Sequence, residues 1–351
     1  MKKTLALVMV LFLVVSCTAK QEDEQTKEGE AKEELKQSQK EISDYYPFLQ
    51  DTKLIYAGRG NEFAGREIYF DFVQDRQGQL REDSGGTTLA QTLEIQDGEV
   101  RRLRSQEGFN YWHRLEIKDK KNYEILLKEP LKVGTSWELS DGRQRYISAK
   151  DVEVKTPSGN YKTLEVTTEG DDYQHLDYYA EGIGLVLSKY QSGEVVIKTL
   201  LAEIKQDSVV RHRVKFFYPD FKAEEEKYIP RQVEFKTNQS AAEVFTKELQ
   251  KEPPQGLTPV ISQNTKINSI DLKRTDNLVK VDFSREMLTD MNAGHLLESL
   301  IIQSLVNTFG EYYRVDKVYL SLEGEPYQSG HMMIKEGDYF KVEGQNNKYQ
   351  R

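Results

Sequence analysis

Turn-forming residues recur about every ten positions between residues 45 and 205, and that spacing constrains the fold more than any other feature of the chain. The signals are Asn61-Glu62, Gln77-Gly78, Ser84-Gly85-Gly86, Asp97-Gly98, Asp141-Gly142, Ser158-Gly159-Asn160, Gly182-Ile183-Gly184 and Ser192-Gly193. Between them apolar and polar residues alternate, as in Ile68, Phe70 and Phe72, or Val195, Ile197 and Thr199. Alternation sends successive side chains to opposite faces of a strand, so each run has one face to bury. Runs this short, joined by tight turns, predict an antiparallel all-β domain over residues 44–206, either a half-barrel or a sandwich.

A polar linker, Gln206-Asp207-Ser208, precedes a different pattern. Val214, Phe216 and Tyr218 share one strand face, and Val233 and Phe235 begin a second strand. Ser240 and Glu243 have the spacing of a capping box, and Ala241, Phe245 and Leu249 then recur every four residues, so 240–251 reads as an amphipathic helix ended by Pro253-Pro254. Two strands follow, 266–272 and 278–283, with Thr275-Asp276-Asn277 as the turn. Leu296, Leu297, Leu300, Ile301, Leu305 and Phe309 form a wide stripe on a second helix that Gly310 is expected to terminate. Val318, Leu320 and Leu322 make the last strand. The order strand, strand, helix, strand, strand, helix, strand predicts an α+β domain over 208–345, with its helices on one sheet face. The polar linker predicts that few contacts cross between the two domains and that each folds alone.

The N-terminus sets the compartment. Behind Lys2 and Lys3 runs an apolar stretch, residues 5–15, too short for a membrane-spanning helix, which needs about 20 residues. It closes on Val14-Val15-Ser16-Cys17, which resembles the bacterial lipoprotein signal, in which the cysteine thiol takes a diacylglycerol and becomes the first mature residue. On that resemblance residues 1–16 are a signal peptide and Cys17 is a membrane anchor on the extracytoplasmic face. Cys17 is the only cysteine, so its acylation leaves no thiol for disulfides, thiolate metal sites or cysteine nucleophiles. Removing the leader takes the formal charge from −9 to −11, which argues against nucleic acid as a partner. Residues 17–43 are almost wholly polar and read as a disordered tether.

The C-terminal pattern resembles the GerMN domain of bacterial envelope lipoproteins of sporulation and spore germination. The residues that carry the resemblance are Phe216-Phe217-Tyr218-Pro219, Tyr228-Ile229-Pro230-Arg231-Gln232-Val233, Val279-Lys280-Val281-Asp282-Phe283-Ser284, Ser304-Leu305-Val306-Asn307-Thr308-Phe309 and Leu322-Glu323-Gly324. At the end of the first helix Glu252-Pro253 stands where the family has Gly-Pro. The β-rich half resembles the module that precedes this domain in clostridial-type lipoproteins. The resemblance implies a non-enzymatic docking or assembly component with envelope or spore proteins as partners. Self-association is implied too, by likeness to modules that pack side by side in ring-forming secretion machinery.

Reactive residue types form no recognisable catalytic or metal motif. His113, His175, His212, His295 and His331 are scattered without a metal-ligand spacing, and no cofactor is indicated. Ser84-Gly85-Gly86-Thr87 lacks the lysine of a phosphate loop and reads as a hairpin turn. Asp282 is expected to cap the segment near Ser284 rather than to react. The residues singled out for partner binding are Tyr312 and Tyr313, with Tyr218 beside them, because tyrosine offers contact area at low entropic cost, and the alternative for all three is half-buried packing at a sheet edge. The competing reading is a ligand-binding lipoprotein that holds a lipid or cell-wall fragment in the β-rich domain.

Overall fold

A computed structural model describes residues 41–117, 119–343 and 348–349. The signal peptide, Cys17 and the tether up to residue 40 lie outside the described residues. One helical turn, α1 (Ile42–Tyr45), leads into six strands: β1 (Lys53–Arg59), β2 (Arg66–Gln74), β3 (Gln77–Asp83), β4 (Thr88–Gln96), β5 (Glu99–Glu107) and β6 (Glu124–Lys128). Six more follow: β7 (Ser136–Glu138), β8 (Gln144–Thr156), β9 (Gly159–Glu169), β10 (Gln174–Ala180), β11 (Gly184–Ser192) and β12 (Val195–Lys205). All join one antiparallel sheet in the order β6-β5-β4-β3-β2-β1-β12-β11-β10-β9-β8-β7. Bulges at Ile55/Tyr56, Phe70/Phe72, Thr92/Leu93 and Tyr178/Tyr179 increase its twist and curl it. The two edges meet through side chains: Trp137 Nε1 and Arg145 Nη1 donate to the Ile125 carbonyl at 3.1 and 2.9 Å. Of the two expected architectures the half-barrel is therefore the nearer, and the sheet curls beyond it to near closure.

Its interior is filled by the chain's own segment 42–49. Ile42 and Tyr45 are buried, the Tyr46 ring lies 5.8 Å from that of Tyr179, and Phe48 lies 5.1 Å from Phe70. The plug is pinned by Ile42 N–H to Glu129 Oε1 (2.9 Å) and by Gly182 N–H to the Asp44 carbonyl (2.7 Å). Gln77-Gly78 was expected as a turn but lies within β3, and the reversal falls one step earlier at Asp75, whose φ is 50°. Gly78 is needed for a different reason. A Cβ there would come within 2.9 Å of the Phe70 ring and 3.1 Å of the Phe48 ring, so the bare backbone makes room for the plug.

The second half follows the predicted order. A long hairpin, β13 (Val210–Asp220) and β14 (Glu225–Phe235), precedes α2 (Ala241–Leu249), β15 (Ile267–Lys273) and β16 (Leu278–Phe283). Then come α3 (Glu286–Thr289), α4 (His295–Tyr313) and β17 (Lys317–Leu322), with short strands β18 (Glu325–Pro326) and β19 (Phe340–Lys341) beyond. Ser240 caps α2 by accepting from Glu243 N–H at 3.5 Å, half of the predicted capping box. β16 and β17 pair in parallel, and α4 is the crossover between them. α4 does not rest on one sheet alone. Phe309 meets Phe245 at 5.3 Å and Phe283 at 6.4 Å, while Thr308 Oγ1 accepts from Phe217 N–H of the hairpin at 3.0 Å.

Gly310 does not end α4, as the sequence pattern had suggested. The helix continues to Tyr313 and stops at Arg314, in left-handed conformation with φ 55°. The C-terminal strap crosses the helix at Gly310, where an added Cβ would overlap Val342. Val342 N–H donates to the Asp316 carbonyl (3.0 Å) and Glu343 N–H to Asn307 Oδ1 (2.9 Å). Gly310→Ala is accordingly expected to cost about 1–3 kcal/mol by overpacking, read as a lower urea midpoint with an unchanged slope.

Contacts between the two halves are dense, contrary to the expectation from the linker. Leaving the barrel after β5, the chain buries Phe109, Tyr111, Trp112 and Leu115 in one core with Val214, Phe235, Phe245 and Tyr313. Ser208 N–H donates to the Asp51 carbonyl (2.8 Å) and Asn238 N–H to the Asp71 carbonyl (2.9 Å). From Ile42 onward the chain is one compact unit.

Candidate functional site

Tyr312 and Tyr313 are not an exposed anchor. Both are buried because the loop after β5 covers the end of α4, and Tyr218 is buried too, beside Arg231 of β14. Tyr312 OH accepts from Trp112 N–H at 2.8 Å and lies 2.7 Å from His212 Nδ1, while Tyr313 OH donates to the Trp112 carbonyl at 3.4 Å. Burial pushes His212 down to about 3, with the Arg81 charge adding to the effect. The imidazole is therefore neutral where it shares its hydrogen bond with Tyr312 OH. The missed signal is the spacing itself: Leu305, Phe309 and Tyr313 continue one four-residue stripe through Gly310.

The joint rests on a buried ion pair. Arg81 donates from Nε and Nη2 to the two Asp71 oxygens at 2.9 and 2.7 Å, and from Nη1 and Nη2 to the carbonyls of Phe109 and Tyr111 at 2.6 and 2.9 Å. Burial pushes the Asp71 carboxyl up even against that guanidinium.

Two further features are open to solvent. Beside the buried tyrosines, adjoining clefts of about 430 and 450 Å³ share Lys215, Tyr228, Glu311 and Arg314. Arg213 and Arg314 are exposed there, and Lys215 pairs with Glu311 and lies 4.9 Å from the Tyr228 ring. At one barrel mouth a cavity of about 270 Å³ holds His175 and Ser188 above Asp177. His175 and Asp177 share a face of β10, and Ser188 stands opposite Asp177 on β11. His175 Nε2 is 2.6 Å from Ser188 Oγ, and Ser188 Oγ donates to Asp177 Oδ1 at 2.7 Å.

That trio is not a proton relay. The carboxylate reaches the same nitrogen that faces the serine (3.2 Å), so no acid orients the far nitrogen of the ring and no base is aimed at the hydroxyl alone. Burial pushes Asp177 up, but the hydrogen bonds and charge of His175, with Ser188, outweigh it and leave the carboxyl below its usual range.

His295 and His331, distant in sequence, come together with ring centroids 6.1 Å apart, yet among the described residues no three His, Cys, Asp or Glu side chains cluster as metal ligands. Asp282 is structural, although its partners are not those expected. Its oxygens accept from Ser321 Oγ (2.6 Å), Gly324 N–H (2.8 Å) and Asn268 Nδ2 (2.9 Å), which ties down the turn after β17. Ser84 to Thr87 close the β3–β4 hairpin, with Ser84 N–H donating to the Thr87 carbonyl at 3.2 Å.

The segment from β13 to β18 also matches a family profile, Germane, described as sporulation and spore germination, over residues 215–328. This stretch is a GerMN domain. Among solved structures, the tandem GerMN domains of the sporulation protein GerM from Bacillus subtilis match at 23% identity, over 38% of this chain and 46% of that one, with a TM-score of 0.29. The chain thus spans less than half the length of that relative. A protein from Clostridium perfringens described as a lipoprotein matches at 18% identity, over 38% of this chain and 87% of that one, with a TM-score of 0.24. An exported protein with a YmcC-like fold from Bacteroides fragilis matches at 10% identity, over 46% and 98%, with a TM-score of 0.29. Among curated proteins there is no match. Among the described residues no helix is long and apolar enough to cross a membrane.

Proposed function

We propose that this chain is a lipid-tethered, non-enzymatic protein of the extracytoplasmic face whose GerMN domain docks onto envelope or spore proteins during sporulation or germination. The observation that carries the reading is the family match over 215–328, whose description names a process rather than a reaction. The lipoprotein-type leader ending at Cys17 supports the tether, since a diacylated cysteine anchors where a single chain is marginal. With Tyr312 and Tyr313 buried, the docking surface is the cleft of Arg213, Lys215, Tyr228 and Arg314, which combines an aromatic ring with the exposed guanidiniums of Arg213 and Arg314. Self-association through the same domain is the alternative partner.

The second reading, a lipid held inside the barrel, has the plug against it, because beside Tyr46 only about 90 Å³ is left.

Deleting 208–345 would strip the cover from Trp112, so reversing surface charge is the cleaner test. Arg213→Glu combined with Arg314→Glu, in place of the native gene, is expected to lower the yield or outgrowth of heat-resistant spores about tenfold while leaving the unfolding midpoint unchanged. Normal spores and germination, in a strain with no second GerMN protein, would turn the argument to ligand binding.

A further inference from the structure

The barrel mouth opposite the plug has the makings of a ligand site that the docking role does not use. Its position follows from the strand register. Phe63 and Ala64 lie on the β1–β2 loop beside the start of β12, whereas Ile42 enters beside Glu129 at the other end. The groups that line or adjoin the cavity already face acids: the Arg66 guanidinium lies 3.2 Å from Glu82, and the His175 ring 3.2 Å from Asp177. Paired charges give little net field, so the cavity has small attraction for a free ion. What it presents instead are hydrogen-bonding groups of both kinds, the Ser188 hydroxyl, the His175 ring and the Asn61 and Ser84 side chains. Arg66 Nε is buried with no acceptor.

An aromatic rim completes the arrangement. Phe63 is 66% exposed, an unfavourable place for a phenyl ring unless something covers it. Its loop is nonetheless held in place: Phe63 N–H donates to Asn61 Oδ1 at 2.7 Å, and Thr199 Oγ1 donates to the Ala64 carbonyl at 2.9 Å. Tyr190 is braced by Tyr173 (5.2 Å) and stands edge-on to His175 (6.5 Å). Fixing the backbone that carries an exposed ring lowers the entropic cost of binding.

We infer that this mouth binds a neutral saccharide unit. A pyranose carries an apolar C–H face for Phe63 and Tyr190, and a ring of hydroxyls that both donate and accept for Ser188, His175 and Arg66. At about 270 Å³ the cavity is below the range for drug-sized ligands, which suits a single sugar unit at the end or edge of a glycan. The inference rests on the extracytoplasmic placement, where glycan is met, and not on the docking cleft, so the two fail separately.

The test uses the chain from Thr18 onward, which lacks only the leader and the acylated residue. Saturation-transfer NMR with di-N-acetylchitobiose, cellobiose and inorganic phosphate is expected to show transfer to a saccharide, with about millimolar affinity. Phe63→Ala and Ser188→Ala should each weaken that binding at least about tenfold. Phe63→Ala should leave the unfolding midpoint in place, since its ring is exposed, whereas the Arg213→Glu and Arg314→Glu pair should not alter sugar binding. No transfer to either saccharide at about 10 mM, binding of phosphate alone, or sugar binding indifferent to both mouth substitutions would each overturn the assignment.

Discussion

Trp112→Ala should be among the most destabilising single substitutions in the chain. The indole is buried and stacks on Phe235 with centroids 4.7 Å apart and planes 11° apart, while Phe72 of the barrel lies 5.1 Å away on another side. Its Nε1 donates to the Gln239 carbonyl at 2.9 Å. Truncation removes the packing from both halves at once, opens a cavity between them and strands that carbonyl. Buried Trp→Ala changes cost about 3–5 kcal/mol, a large part of the 5–15 kcal/mol that holds a typical domain together. Because the joint links two sheets, the expected result is a lower urea midpoint and a transition that splits in two. Trp137, the one tryptophan left, would report the barrel step by fluorescence. A single transition displaced by less than about 1 kcal/mol would show that the halves are held together elsewhere.

How much of this was legible in the sequence depends on whether the information was local. The turns between residues 45 and 205 and the stripe from Leu297 to Phe309 are patterns within single elements, and the antiparallel meander and the α+β order follow from them. What closes the barrel is not local. Trp137 reaching Ile125 and the plug's Phe48 reaching Phe70 are contacts between elements whose own periodicity says nothing of their partner. The error over Tyr312 and Tyr313 has the same origin. Two tyrosines at a helix end look alike whether solvent or another module covers them, and the covering residue, Trp112, lies about 200 positions away. Glycine misled twice, since Gly78 and Gly310 serve close approach by Phe48 and Val342 rather than chain reversal. At the barrel mouth His175 and Asp177 stand only two apart in the sequence, where His175 reads as one of five scattered histidines, and Ser188 joins them only through the β10–β11 register.

Arg81→Leu is the second substitution with a large expected effect, and its pH dependence distinguishes it from simple loss of packing. Arg81 satisfies both Asp71 oxygens and the carbonyls of Phe109 and Tyr111, so its removal leaves a buried carboxylate and two carbonyls without their donor. Breaking a buried pair from one side costs about 3–5 kcal/mol, whereas replacing both partners by apolar residues can be nearly neutral. Asp71→Leu added to Arg81→Leu should therefore recover part of the loss. In the native chain His212 binds its proton less readily folded than unfolded, its value being pushed from 6.5 to about 3 by burial and by the Arg81 charge. A depressed histidine stabilises above its unfolded value, and that contribution drains away as pH falls from about 6.5 towards 3. In Arg81→Leu two changes oppose the trend. His212 loses a neighbouring cation and protonates more easily in the fold, and Asp71, already raised by burial, is raised further and gains stability as pH falls. The deficit of Arg81→Leu relative to the native chain, measured by urea unfolding, should thus be largest near pH 7 and shrink towards about pH 4. A deficit that is constant over that range would mean that Asp71 stays ionised without its partner, and the ion pair would lose its role as the electrostatic lock of the joint.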